Sequence, residues 1–309
     1  MFIRVHPWLK SSRLESKLDD CSTERFQMGI CHKHWSRRNF LLGTLGAATC
    51  GIVDIKWLEP HWLGTGRHDV KLGAGDGPAL RLVQLSDLHA SESVSLDFIQ
   101  GAVQRCLELK PDIICLTGDF ITSRYDAFGR YAEVLKPLSD EAPTFATLGN
   151  HDGGHWAGRR GGYSDTELVR KLLTVSRIEL LHNRSMRTRL KGRTLDLVGI
   201  GDLWAREVNA TAAFSKAGDG ASTILLAHNP DSKELVGTFR WDLMLCGHTH
   251  GGECDLAFFG TPFAPVKDKR YVRGLHPWKD RWIHTTKGVG SLYGVRFNCR
   301  PEVSLLTLF

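Results

Sequence analysis

Gly247-His248-Thr249-His250-Gly251-Gly252 follows an apolar run at residues 241–246. That run reads as a buried strand feeding a glycine-flanked turn. In a turn both imidazoles can converge on one point, and imidazole is the commonest neutral metal ligand. Other apolar runs end in the same manner. The run at 82–86 ends at Asp87-Leu88-His89, and 113–118 ends at Asp119. The run at 145–149 ends at Asn150-His151-Asp152, and 224–227 ends at His228-Asn229-Pro230. Ligand-type side chains at the exits of several strands are the pattern of a carboxylate–histidine metal site.

The chain of 309 residues suits a single large domain or one domain plus an appendage, and its 42% apolar share is ordinary for a globular protein. The formal charge of +6 is spread over the chain, with no basic stripe interleaved with aromatics, so a specific nucleic-acid partner is not expected. Nothing in the sequence indicates an obligate protein partner. The eight cysteines form no CxxC pair, which speaks against a structural zinc knuckle. Cys106, Cys115 and Cys246 fall in apolar patterns and read as small buried core residues.

From the N-terminus, residues 1–35 are polar and irregular. Arg37-Arg38 then precede a Gly/Ala-rich apolar stretch to about Val53, which resembles a twin-arginine export signal. The leader ahead of the motif is long, and no Ala-x-Ala site precedes Asp54. The stretch is short for a membrane span of ~20 residues. The stretch reads alternatively as a short amphipathic or buried helix with two solvated arginines. If it is not cleaved, Trp57, Leu58, Trp62 and Leu63 beside it predict an interfacial anchor, and hence association with the inner membrane on a face left open. Residues 72–78 read as a Gly-rich linker, so 1–76 is expected as an N-terminal extension and 77–309 as the catalytic domain.

Within that domain strands are predicted over 80–85, 112–117, 144–148 and 195–200. Between them, helices are predicted after residue 95, with Leu96, Ile99, Val103 and Leu107 on one face, and over 128–138 and 165–174. Alternation of this kind gives a largely parallel sheet. Later the pattern turns to strands: 224–227, 243–246, 271–272, 282–285, 293–297 and 303–308. A second sheet stacked on the first, with helices outside, is expected. The fold class is α/β, a four-layer α/β/β/α sandwich with two central mixed sheets.

Two divalent ions about 3.5–4 Å apart can clamp both oxygens of an in-line phosphoryl displacement and activate a solvent nucleophile. The candidate ligands are Asp87, His89, Asp119, Asn150, His228, His248 and His250. His151 is placed to steer phosphoryl oxygens or protonate a leaving group, with Asp152 available to orient it. For substrate, Arg159, Arg160 and Arg206 suit a second phosphate, and Trp156 and Trp204 suit a base or an acyl chain. Pro262 to Pro265 reads equally as a stiff pocket rim or as a plain loop.

In these blocks the chain resembles the calcineurin-like metallophosphoesterases, which are marked by Asp-x-His, Gly-Asp, Gly-Asn-His-Asp/Glu, a lone His and Gly-His-x-His. Here they stand as Asp87-x-His89, Gly118-Asp119, Gly149-Asn150-His151-Asp152, His228 and Gly247-His248-Thr249-His250, none substituted. The resemblance implies that Asp87, His89 and His250 bind one ion and Asn150, His228 and His248 the other. It further implies that Asp119 bridges the ions, that His151 assists the phosphoryl group, and that the metals are Mn, Fe or Zn, with Mn favoured. It also implies the four-layer sandwich.

Further segments, among them Gly201-Asp202-Leu203-Trp204 and Gly288-Val289-Gly290-Ser291, resemble a bacterial phosphodiesterase subfamily often carrying a twin-arginine or anchoring N-terminus. Some of its members hydrolyse the pyrophosphate of UDP-2,3-diacylglucosamine, giving lipid X and UMP in lipid A biosynthesis. The implied activity is therefore a phosphodiesterase, or alternatively that pyrophosphatase, acting on an anionic diester or pyrophosphate, including a nucleotide-linked lipid. A non-catalytic metal-binding scaffold on the same fold predicts a lost ligand, and none is lost.

Overall fold

Alternation along the apolar runs decides how the layers stack. In the strand Leu80–Leu85, Leu80 and Leu82 enter one apolar core, while Val83 and Leu85 enter another. Ile113 and Cys115 likewise part from Ile114 and Leu116, as Leu243 and Leu245 part from Met244 and Cys246. Strands buried on both faces place one set of side chains between two sheets and the other under an outer layer. Each such fully buried aliphatic side chain stabilises the fold by about 1.5–3 kcal/mol.

The computed structural model describes residues 37–72, 77–218 and 221–309. The chain falls into two units, 1–45 and 46–309. In order the elements are α1 (Arg37–Val53), β1 (Gly64–Val70), β2 (Leu80–Leu85), α2 (Leu96–Glu108), β3 (Ile113–Thr117), α3 (Phe128–Glu141) and β4 (Thr144–Thr147). Then come α4 (Gly154–Gly158), α5 (Glu167–Val175), β5 (Glu179–Leu180), β6 (Arg184–Leu190), β7 (Arg193–Gly199), α6 (Ala210–Phe214) and β8 (Ser222–Leu226). The last are β9 (Leu243–Cys246), β10 (Gly274–Trp278), β11 (Arg281–Thr285) and β12 (Glu302–Leu308).

One six-stranded sheet runs β1-β12-β2-β3-β4-β5, and the other runs β10-β11-β9-β8-β7-β6. Both are mixed. In the first, β12 is antiparallel to β2 and the other pairs are parallel. In the second, the outer pairs β10–β11 and β6–β7 are antiparallel. The two-sheet sandwich is the expected one. Helix α2 shows why its helical pattern holds: Ser95 caps it through Phe98 N, and Leu96, Ile99, Val103 and Cys106 are buried on one face.

Several expectations are corrected. Residues 271–272 are not a strand; a 3-10 turn, Lys269–Tyr271, stands there. Residues 293–297 form a loop with one isolated bridge, Phe297 to Cys254, and the buried Arg296 guanidinium ties it down through the carbonyls of Lys287, Gly290 and Cys299. Strand β1, inside the stretch read as an extension, pairs with β12 along its whole length. Membrane association is overturned. Among the described residues no helix is long and apolar enough to cross a membrane. The supposed anchor is also tied to the domain: Glu59 accepts from the backbone N–H of Asn298 and Cys299, Leu63 packs on the core, and Arg300 lies over Trp62. The leader ahead of Arg37-Arg38 lies outside the described residues.

Candidate metal centre

The ligand-type residues all leave strands of both sheets at one end. Asp87 and His89 follow β2, Asp119 follows β3 and Asn150 follows β4, while His228 follows β8 and His248 and His250 follow β9. What aims them inward is backbone conformation. Asp87 (φ 52°), His89 (φ 49°), Asp119 (φ 56°), His248 (φ 70°) and His250 (φ 51°) all adopt the left-handed region. That region is sparsely populated by non-glycine residues and is tolerated best by Asp, Asn and His, so five such residues in one site amount to strain held by the surrounding fold. The glycines leave room for this. A Cβ at Gly149 would overlap the Asp119 carboxylate, and one at Gly247 would overlap Ser86 and Asp87.

The side chains gather into two groups. Asp87, His89 and His250 have ligand atoms within 4.8 Å of one another, and so do Asp119, His228 and His248. Asp119 joins the groups, its Oδ2 lying 3.0 Å from His228 Nε2 and 3.5 Å from His89 Nε2. All six are buried, as is Asn150. His89 Nε2 and His250 Nε2 are 3.1 Å apart, and His248 Nδ1 is 3.2 Å from His228 Nε2.

The donors fit cations. His228 Nδ1 lies 2.7 Å from the Thr117 carbonyl and donates to it, which leaves Nε2 facing the Asp119 carboxylate. A lone pair facing a carboxylate repels it unless a positive charge intervenes, and a carbonyl-anchored imidazole is the usual form of a metal ligand. Burial opposes protonation of His228, yet Asp119 outweighs it and holds the pKa well above the ordinary value. Such a proton stands where a cation would bind, and a metal must displace it. Burial pushes His89 down to about 3 and His250 well below its usual range, which leaves neutral imidazoles as donors. Asn150 Oδ1 and His248 Nε2 are buried with no hydrogen-bond partner in the protein. Unmade bonds of this kind cost about 1–3 kcal/mol each unless something else fills them.

Around this core the loops are fixed by carboxylates. Contrary to the expectation from its position, Asp152 does not orient His151. It accepts instead from the backbone N–H of Asp119, Phe120 and Gly149, at 2.9, 2.7 and 2.8 Å. The imidazole of His151 rests on the Thr122 carbonyl through Nδ1 at 2.6 Å, and its backbone N–H donates to Asp119 Oδ1. Its ring lies 5.0 Å from that of His89 and 4.7 Å from that of Trp156, between the ligand cluster and open space.

That space is a cavity of 710 Å³ with Asp119, Asn150, His151, His248 and His250 among its lining. Trp156 and Trp204 stand on its wall with rings 5.8 Å apart, and the Arg160 guanidinium lies 4.0 Å over Trp156. Of the residues predicted for substrate, Arg160 and Trp204 line the cavity, whereas Arg159 and Arg206 are exposed and not part of its wall. Phe263 and Pro265 do line it, which makes the proline loop a rim. Thr122, Glu253, Leu292 and Tyr293 were missed. Thr122 and Glu253 stand just past the Gly118-Asp119 and histidine-turn motifs, whereas Leu292 and Tyr293 follow no ligand motif and reach the site through the loop that Arg296 holds.

Residues 80–252 match the calcineurin-like phosphoesterases, and these residues include every ligand-type side chain described above. The chain belongs to that family. The phosphoesterase is 42% identical to phosphodiesterase YaeI of Escherichia coli (strain K12), over 88% of this chain and 99% of that one. It is 30% identical to the uncharacterized metallophosphoesterase YkuE of Bacillus subtilis (strain 168), over 89% and 98%. It is 26% identical to the UDP-2,3-diacylglucosamine pyrophosphatase LpxG of Chlamydia trachomatis, over 74% and 83%. The family and the paired clusters make this chain a metal-dependent phosphoesterase with a dinuclear metal-binding fold.

Proposed function

We propose that the chain hydrolyses phosphodiesters at a dimanganese centre. Asp87, His89 and His250 would hold one ion, Asn150, His228 and His248 the other, and Asp119 would lie between them. The observation that carries this reading is the position of Asp119 Oδ2, within 3.5 Å of an imidazole from each group. The carboxylate and amide oxygens of this donor set suit manganese and its four imidazoles suit zinc or iron equally, so manganese is favoured by the family resemblance.

When bound, two such ions supply a solvent nucleophile of lowered pKa and neutralise the phosphoryl oxygens. The chain's own residues then position the ester. His151 Nε2, with Nδ1 tied to the Thr122 carbonyl, faces the cavity and is assigned to bind a phosphoryl oxygen or to protonate the leaving group. Arg160, held flat on Trp156, supplies positive charge near the mouth, and Trp204 beside His248 supplies an apolar wall. A diester keeps one substituent after cleavage, and this wide, aromatic-walled cavity has room for it, as a monoesterase would not need.

A second reading is a nucleotide–lipid pyrophosphatase. Its support is the paired indoles and the exposed Phe263 and Tyr293 at the cavity, which suit a base or acyl chains, together with the likeness to LpxG. Assay of the manganese-loaded protein against an aryl phosphodiester, an aryl phosphomonoester and UDP-2,3-diacylglucosamine separates these readings. Preference for the aryl diester supports the first reading and preference for the sugar nucleotide the second. Hydrolysis of the monoester alone overturns both.

Arg37-Arg38, followed by a Gly/Ala-rich apolar stretch, supports a twin-arginine export signal. A C-terminal reporter active only after export tests it, and an Arg37→Lys/Arg38→Lys variant should abolish its signal. Export would separate the chain from cytoplasmic nucleotide-linked lipids, so the same reporter bears on the substrate.

A further inference from the structure

Away from the dinuclear centre, a third set of metal-ligating side chains meets between the sheets. His68 on β1, Glu302 on β12 and His284 on β11 have ligand atoms within 4.8 Å of one another. The first two belong to one sheet and the third to the other. His284 is fully buried, and its Nε2 has no hydrogen-bond partner.

The protonation of that ring follows from its neighbours. Gln84 Nε2 lies 2.9 Å from both the Thr117 hydroxyl and the Cys246 carbonyl. A carbonyl can only accept, so this end of Gln84 is the amide nitrogen and the other end is the oxygen. Gln84 Oε1 is 2.7 Å from His284 Nδ1, which must therefore donate. The neutral ring then carries its proton on Nδ1 and leaves a bare lone pair on Nε2, in a place where nothing in the protein donates to it. An imidazole fixed through one nitrogen with the other free is the arrangement that outer partners impose on a metal-binding histidine.

The carboxylate is placed as deliberately. A Cβ at Gly66 would lie 2.6 Å from Glu302 Oε1, so the glycine in β1 is what lets the carboxylate lie against that strand. Ser304 Oγ is 2.7 Å from Glu302 Oε1, and Lys287 Nζ is 3.2 Å from Oε2. The lysine is the competitor of any cation here. Its side chain is partly exposed and can turn to solvent, whereas the histidine cannot.

We propose that His68, His284 and Glu302 form a third metal site, binding a divalent zinc-like cation. Two imidazoles and one carboxylate are a zinc ligand set that leaves one position for solvent. The ion would fasten β1 and β12 of one sheet to β11 of the other. Its histidine is joined to the dinuclear centre through Gln84 and Thr117, whose carbonyl holds His228.

The test is zinc stoichiometry by mass spectrometry on the full chain, dialysed with excess zinc and then freed of loose metal. Wild type should retain three equivalents, and His68→Gln and Glu302→Gln two each. Asn150→Ala should keep the third-site ion, seen as a zinc-edge anomalous peak between His68, His284 and Glu302. That peak in wild-type crystals also serves as the readout if a variant fails to fold. Two equivalents in wild type, three in His68→Gln, or no peak at the triad would overturn the site and leave only a polar cluster held by Lys287.

Discussion

Asn150 is the residue whose side chain has least reason to be where it is without a cation. Its amide oxygen is buried and unpaired, at the end of an apolar strand. Asn150→Ala should lower kcat by about 10³-fold, a loss of about 4 kcal/mol of barrier stabilisation. Circular dichroism should stay unchanged; an unaltered kcat in metal-replete buffer would remove Asn150 from the site. His151 should behave differently, because its side chain faces the cavity while its backbone touches Asp119. His151→Gln should cost about 10²–10⁴-fold in kcat with metal content unchanged. Loss of metal in proportion to activity would make it a support for the ligands instead. That these Asp and His side chains would converge was legible because each block stands at the end of an apolar run. Their left-handed backbone was not, since it goes with close approaches from residues far away in sequence, such as Gly247 and Gly288 to Asp87. The role of Asp152 was misread for the same reason. Its three amide donors lie on two different loops, which adjacency to His151 does not reveal.

The elements that escaped the sequence are those whose pattern is not apolar. Strand β1 reads Gly-Thr-Gly-Arg-His-Asp-Val, and pairs with a strand more than two hundred positions away. Strand β6 is an edge strand with three exposed arginines, Arg184, Arg187 and Arg189. It is fastened to β7 by a fork in which Arg187 Nε and Nη2 donate to the Asp196 carboxylate, each at 2.8 Å. Burial works against the Asp196 charge, but Arg187 and the Gly218 N–H outweigh it and depress the pKa. A carboxyl with a depressed folded pKa contributes stability above its unfolded value near 3.9, and that contribution is lost as pH falls through the folded value. Arg187→Met should therefore destabilise the domain modestly at pH 7, since solvent screens a half-exposed guanidinium. Denaturant melts should show the difference from wild type vanishing in acid below the folded pKa. A difference that persists there would mean the arginine acts through packing alone.

At the scale of the whole molecule, two sheets meet so that strands from both end at one cluster of lone pairs and carboxylates, which binding of cations would relieve. Ligands that bind only the folded state raise its stability by about 2.7 kcal/mol at one hundred times Kd. A chelator should accordingly lower Tm by about 5–10 °C, with manganese restoring both Tm and turnover. An unchanged melt with full loss of activity would mean the fold does not depend on its metals. The layered architecture was legible from the alternation of strands with helices and the strand-rich tail, while the cavity was legible only in part, at Trp156, Arg160, Trp204 and the proline loop. Its wall is assembled from loops at 156–160, 204, 263–265 and 292–295, whose positions depend on buried hydrogen bonds such as those of Arg296. The most direct test of the paired-metal claim is electron paramagnetic resonance of the manganese-loaded protein. Two ions sharing Asp119 should give an exchange-coupled spectrum with the hyperfine spacing halved relative to isolated manganese, and Asp119→Asn should abolish it. At full loading, a spectrum of isolated manganese alone would contradict the dinuclear centre.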